Sequence, residues 1–260
     1  MSTLVNSWSE PPLGMKLDKK QVHIWSVSLD QPLETIVQLT ELLSRDERER
    51  ANRFIFDNDR RHFTVARASL RLILSRYLQT VPQQIRFHYT THGKPELSGF
   101  GGGWLYFNLS HSHGLALVAV ARDSRLGIDV EWVRPLDEMD AIAKRFFSRV
   151  EYLAYSKLPA EQRAIGFFNC WTRKEAYIKA IGEGLSCPLA SFDVSLSPNQ
   201  PAKLLSINND PQIAKSWFME AVTPVPGYVG AVVIEGQTIQ ISYWQGNKDL
   251  FEFQEHSNRV

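Results

Sequence analysis

Two long stretches of helical periodicity, each set among short alternating segments, constrain this chain more than any other feature. In residues 59–79, Phe63, Ala66, Leu70, Ile73, Leu74 and Tyr77 recur at helical spacing and predict an amphipathic helix. Residues 161–181 predict a second one, stopped by Gly182 and Gly184. Residues 22–29, 85–89, 104–110, 115–122 and 126–132 read as strands around the first helix, and 192–196, 217–222, 228–234 and 238–244 as strands after the second. The last two are expected to form a hairpin through Glu235-Gly236-Gln237. Further helices are expected from Pro32 to about Ser44 and from Asp137 to Lys157. Turns join the strands more often than helices do, which predicts antiparallel pairing and an α+β class. The expected architecture is two similar lobes in a pseudo-twofold arrangement, each an antiparallel sheet packed with helices. Residues 1–20 read as a loose lead-in, 21–123 as the N-terminal lobe and 124–260 as the C-terminal lobe.

Composition narrows the function classes. The 29 Lys and Arg nearly cancel the 28 Asp and Glu, a net charge of +1, which argues against a nucleic-acid partner. With 43% hydrophobic residues the 260-residue chain has ample material for a core. Cys170 and Cys187 cannot build a disulfide scaffold, and no Cys-x-x-Cys spacing exists for zinc, so both read as buried thiols in a reducing compartment. The N-terminal segment carries Glu10, Pro11, Pro12 and Asp18 and has no signal-peptide character. The longest apolar run, Gly114–Ala121, is far shorter than the roughly 20 residues of a membrane span. The expectation is a cytoplasmic protein without a membrane partner.

Several short segments carry candidate chemistry. In Gly127-Ile128-Asp129-Val130-Glu131-Trp132, strand alternation puts Asp129 and Glu131 on one side and Ile128, Val130 and Trp132 on the other. Two such carboxylates repel unless one protonates or a cation joins them, and hard oxygen ligands suit Mg²⁺ or Mn²⁺. The alternative is a strand with one wet face. In Trp171-Thr172-Arg173-Lys174-Glu175-Ala176-Tyr177-Ile178-Lys179, a helix stacks Trp171, Glu175 and Lys179 one above another. These make either a surface ion pair or a third metal ligand beside a phosphate-holding cation. Asn108-Leu109-Ser110-His111-Ser112-His113 ends a strand, where Ser110 and His111 could donate to a phosphate. Pro95 forces Lys94 into an extended conformation that suits a presented cation. Nine arginines fall between Arg45 and Arg76, interleaved with acids; they read as a solvated face with i,i+4 pairing, and the alternative is that one or two hold phosphate. Gly101-Gly102-Gly103 lacks Walker and Rossmann spacing and reads as a flexible loop.

Taken in order, RDERERANRF, GKPEL, FNLSHS, GIDVE, RFFS and WTRKEAYIKAIGEGL, from about residue 44 to 190, followed by PLASFDV, give the chain its likeness. It resembles the 4′-phosphopantetheinyl transferases of the surfactin-synthetase type. The resemblance implies transfer of the phosphopantetheine arm of coenzyme A to a serine of an apo acyl or peptidyl carrier protein, releasing adenosine 3′,5′-bisphosphate. It implies that Asp129, Glu131 and Glu175 ligate Mg²⁺ or Mn²⁺, with Asp129, Glu175 and Lys179 as the catalytic set. Lys179 would hold the pyrophosphate, with Lys174 a weaker candidate. Arg50, Lys94, Ser110 and His111 match positions at the 3′-phosphate and nucleotide end, and Arg53 and Asn108 are added to that coenzyme-binding set. The proton acceptor for the carrier serine would be Glu175 or a metal-bound water held by Glu131. A two-lobed molecule places this site in the crevice between the lobes and needs no second subunit, so a monomer is expected. Phe146, Phe147 and Tyr152 are candidates for an apolar carrier strip rimmed by Arg145, Arg149 and Lys157, with core packing the stronger expectation for the two phenylalanines. Two rival readings use the same residues. A Mg²⁺-dependent nuclease or phosphodiesterase would need a Glu-x-Lys pair, but Trp132-Val133 follows Glu131; a non-catalytic nucleotide-binding module would not require a base.

Overall fold

In the computed structural model, which describes residues 6–99, 102–198, 200–246 and 250–251, the long periodic stretches are two 22-residue helices. The strands and helices, in chain order, are β1 (Gln21–Ser28), α1 (Leu33–Thr40), α2 (Arg45–Ala51), α3 (Asp57–Leu78), β2 (Phe87–Tyr89), β3 (Pro95–Leu97), β4 (Leu105–Ser112), β5 (Leu115–Arg122), β6 (Leu126–Trp132), α4 (Met139–Phe146), α5 (Arg149–Ser156), α6 (Ala160–Ile181), β7 (Phe192–Val194), β8 (Leu204–Ile207), α7 (Pro211–Ala214), β9 (Trp217–Val222), β10 (Tyr228–Glu235) and β11 (Gln240–Gly246). The class is α+β. Gly101, the first five residues and residues 252–260 lie outside the described residues.

The core is layered. One sheet has the order β11-β1-β5-β4 and a second the order β6-β10-β9; β2-β3 and β7-β8 form small ribbons. Alternation along β1 and β5 serves two cores at once. Trp25, Val27, Val118 and Val120 pack under α3 with Val65, Leu70 and Ile73. Ile24, Leu117 and Ala119 face Ile128, Val130 and Val232 of the second sheet. The other face of that sheet, with Ala231 and Val233, packs on Ala176 and Ala180 of α6. The order is therefore helix, sheet, sheet, helix.

Several expectations change. Residues 240–246 do not form a hairpin with β10. Both edges of β10 are already taken by β6 and β9, and β11 instead pairs in parallel with the free edge of β1, with Gln21 opposite Gln240. The final strand thus completes the sheet of the first half. The described part of the lead-in is tied down: Ser9 bridges to Trp244, Trp8 meets Tyr243 edge-on, and Asn6 bonds to Thr223. The helix expected over 137–157 is broken at Phe147, whose backbone is extended. Ser148 starts a new helix with a capping box, its backbone N–H donating to Glu151 Oε2 at 2.8 Å. Ser44 and Glu47 make the same box at the start of α2. Thr90–Gly103 is not all loop, since β3 lies within it. Cys170 and Cys187 are buried free thiols, as expected.

The arginine-rich stretch does more than cover a wet face. Arg67 and Arg71 are buried against a buried Glu47, at 2.9 and 2.7 Å. A matching buried pair supports α6: Lys174 Nζ lies 2.8 Å from Glu151 Oε2 and donates to the carbonyls of Leu189 and Phe192 at 2.7 Å each. Glu151 Oε1 also accepts from Val194 N–H at 2.7 Å. Removing one partner strands a buried charge, at a cost of roughly 3–5 kcal/mol. Lys174→Ala is expected to lower the urea-unfolding free energy by about that amount; an unchanged midpoint would contradict a structural role for Lys174.

Candidate active site

The site is built where β4, β6 and α6 converge. Gly127 allows it. A Cβ at this position would lie 2.1 Å from the Ala176 carbonyl oxygen and 2.4 Å from Ala180 N, so only glycine lets β6 approach α6 this closely. From that contact the strand alternates. Ile128 and Val130 enter the core between the sheets, while Asp129 and Glu131 take the other side. β4 alternates in step and supplies Asn108, Ser110 and Ser112. Asn108 Oδ1 accepts from Ile128 N–H at 2.9 Å, Ser110 Oγ donates to Asp129 Oδ1 at 2.7 Å, and Ser112 Oγ donates to Glu131 Oε2 at 2.7 Å.

From α6, Lys179 Nζ reaches Asp129 Oδ1 at 2.6 Å and Ser110 Oγ at 3.0 Å. Asp129 Oδ2 is buried with no hydrogen-bond partner. Burial raises the Glu175 carboxyl above its ordinary range; Asp129 and, less strongly, Glu131 add to this, and Lys179 opposes it. Glu131 is likewise raised, by burial first and then by Asp129, against the Ser112 hydrogen bond. Among the described residues, no three His, Cys, Asp or Glu side chains are already gathered as a metal cage. A pocket of about 270 Å³ opens beside this cluster, with Lys94, Leu109, Glu175, Lys179 and Gly182 in its wall. Lys94 Nζ donates to the Lys179 carbonyl at 2.6 Å and the Leu126 carbonyl at 3.3 Å, and burial lowers its pKa.

The chain is similar to known proteins over most of its length. The profile of the 4′-phosphopantetheinyl transferase superfamily matches residues 125–233, and that of the 4′-phosphopantetheinyl transferase N-terminal region matches 25–123. The 4′-phosphopantetheinyl transferase HetI of Nostoc sp. is 41% identical over 242 residues, covering 93% of this chain and 99% of that protein. The chain belongs to the 4′-phosphopantetheinyl transferase family. Two further transferases are similar: psf-1 of Bacillus pumilus, 35% identical over 81% of this chain and 89% of its own, and Sfp of Bacillus subtilis, 31% identical over 81% and 91%.

In this transferase, Lys94, Glu175 and Lys179 line the pocket, Asp129 and Ser110 are bonded to Lys179 beside it, and Glu131 acts on Glu175 through its charge. His111 follows Ser110 on β4, and its pKa is lowered by the protein packed around it and then by Lys179 and His62. Arg50 and Arg53 stand exposed at the end of α2 and are not in the pocket wall; the Arg50 guanidinium lies over the Phe63 ring at 5.4 Å. Two of the expected residues are engaged by other parts of the protein. Lys174 points away from the carboxylates into its buried pair with Glu151, because adjacent helical positions diverge by about 100°. Asn108 reaches the pocket wall, but its side-chain oxygen is spent on the β6 backbone. Phe147 is buried and Phe146 and Tyr152 half-buried, and it is Val150 and Leu153 that α5 exposes. Sequence reasoning missed Ser112, although the i, i+2 series from Asn108 through Ser110 points to it. It also missed the packing of His113 against Trp132, the rings tilted by 57° with centroids 4.4 Å apart.

The crowding of carboxylates predicts a trade of stability for function. A carboxyl whose folded pKa is raised costs stability above its unfolded pKa and costs nothing once pH falls well below it. Glu175→Gln is therefore expected to raise the melting temperature at pH 8 by about 2–4 °C, for roughly 1 kcal/mol relieved. The gain should vanish toward pH 4. A melting temperature lowered at pH 8 would contradict the repulsion.

Proposed function

We propose that this transferase moves the 4′-phosphopantetheine of coenzyme A to a serine hydroxyl of an apo acyl or peptidyl carrier protein. The second product is adenosine 3′,5′-bisphosphate. The observation that carries this reading is the cluster of Asp129, Glu131, Glu175, Lys179 and Ser110 beside a pocket that Lys94, Glu175 and Lys179 line.

Mg²⁺, or Mn²⁺ in its place, fits this donor set. Asp129 Oδ2 is a buried oxygen without a partner, and Glu131 and Glu175 are both raised in part by negative neighbours. Asp129, Glu131 and Glu175 would hold the cation through side-chain rotation, its ligands all hard oxygens. When bound, such a cation neutralises pyrophosphate charge and stabilises the leaving phosphate oxygen. The protein's own part is positioning. Lys179 stands 3.0 Å from Ser110 and takes the pyrophosphate, while Lys94, Ser110 and His111 take the nucleotide end. Arg50 and Arg53, both exposed, add positive charge on the approach to that end. Glu175 lies in the pocket wall with a raised pKa, which suits it to accept the proton of the carrier serine.

Two similar lobes, 21–123 and 124–260, are part of the same reading, with the pocket in the cleft between them. The repeated unit of a capping box followed by a 22-residue helix supports it: Ser44/Glu47 with α3, and Ser148/Glu151 with α6. β11 then crosses from the second lobe to the first. We read the enzyme as a cytoplasmic monomer without nucleic-acid partners, in keeping with its balanced charge. Among the described residues no helix is long and apolar enough to cross a membrane.

Intact-mass spectrometry of an apo carrier protein, incubated with the enzyme, coenzyme A and Mg²⁺, tests the reaction. One added phosphopantetheine is expected, and Asp129→Ala is expected to slow its appearance by about 10²-fold or more. A wild-type enzyme that adds nothing to any of a panel of acyl and peptidyl carriers would overturn the proposal, and full activity in Asp129→Ala would remove Asp129 from the site.

A further inference from the structure

Glu47 is fully buried in the first turn of α2, and nothing in the mechanism above uses it. Its carboxylate gathers three separate parts of the fold. It accepts from Ser44 N–H at 2.9 Å, which starts α2, the helix that carries Arg50. It pairs with Arg67 and Arg71 of α3. Arg71 carries the contact on to the segment before β2, donating to the carbonyls of Pro82 and Ile85 at 2.9 and 3.0 Å. Arg67 carries it to β2 itself, donating to the Tyr89 hydroxyl, with its guanidinium 5.0 Å from the centre of the Phe87 ring.

Tyr89 stands at a decisive point in the β2-β3 ribbon. It pairs with Pro95, the neighbour of Lys94. The turn between them is tight: Thr90 N–H donates to the Lys94 carbonyl at 2.9 Å, and Lys94 N–H to Thr90 Oγ1 at 3.2 Å. Lys94 then has little freedom of its own, and its place against Lys179 is set by where the ribbon sits. A buried ion-paired carboxylate is costly to desolvate and could be replaced by apolar packing if only stability were at stake. Here it joins α2, α3 and the ribbon through hydrogen bonds from Ser44 and Arg71 and through a buried charge contact with Arg67, which apolar packing would not reproduce.

We propose that Glu47 is a positioning residue for coenzyme A: acting through Arg67 and Tyr89, it sets the position of Lys94 at the nucleotide end of the pocket. The inference rests on the assignment of Lys94 made above. It predicts that the effect of breaking the relay passes through Lys94.

The test is a double-mutant cycle on the calorimetric Kd for coenzyme A, with Tyr89→Phe, Lys94→Ala and the double variant. Tyr89 is 41% exposed, so its hydroxyl can be removed without opening the core. Loss of one such hydrogen bond is expected to weaken coenzyme A by about 3–10-fold in an otherwise intact protein. In the Lys94→Ala background the same change should add nothing. Glu47→Gln, where it folds, should repeat the pattern. An unchanged Kd in Tyr89→Phe, or the same loss in both backgrounds, would overturn the inference, since a generally loosened fold acts whether or not Lys94 is present. Because the cycle reads binding, it decides the matter even if no carrier is modified; a wild-type enzyme that binds coenzyme A but transfers nothing would count against the transferase reading alone. An unchanged Kd in Lys94→Ala would overturn both the Lys94 assignment and this inference.

Discussion

Everything in the site depends on the contact between β6 and α6 at Gly127. The helix backbone passes so close to the strand that a methyl group has no room. That approach brings Asp129 within 2.6 Å of Lys179, two residues that lie fifty positions apart in the chain. β4 then locks the strand from its other side through Asn108, Ser110 and Ser112, each spaced by two. The side chains of the candidate site thus sit on regular elements, whose backbone leaves them little freedom.

The chemistry of the site is bought with electrostatic strain. Burial raises the Glu131 and Glu175 carboxyls above their ordinary range, and the negative charge of Asp129 adds to both. Lys179 offsets only part of this negative charge, and Asp129 Oδ2 is left without a donor. Such a cluster binds a cation more readily than a satisfied one would, because the cation relieves a penalty already present. Elsewhere the protein treats buried charge differently. Glu47 and Glu151 are matched by arginines or lysine and by backbone N–H groups, and they join elements rather than await a ligand.

Much of this was legible in the residues. The alternation of Asp129 and Glu131 against Ile128 and Val130, the stacking of Glu175 over Lys179, and the two long helices all follow from the periodicity of a single element. What was not legible depends on distant partners. Lys174 neighbours Glu175 in sequence, yet Glu151, 23 positions earlier, draws it to the opposite side of α6. Arg67 and Arg71 look like members of a charged face until Glu47 is seen beneath them. The parallel pairing of β11 with β1 has no local signal, because it follows from which strand edges remain open after β10 is paired on both sides. The break at Phe147-Ser148 is a different case, since Ser148 and Glu151 spell out a capping box and could have been read from spacing alone.

The most direct test of the site is a titration of Mn²⁺ followed by electron paramagnetic resonance, on the wild-type enzyme and on Asp129→Asn with coenzyme A present. Asparagine keeps the shape and removes the charge at the atom on which the cluster turns. A single tight Mn²⁺ site is expected in the wild type and its loss, or a weakening by about 10²-fold, in the variant. Equal Mn²⁺ binding by the two proteins would contradict the assignment of Asp129, with Glu131 and Glu175, as the cation-holding centre of this transferase.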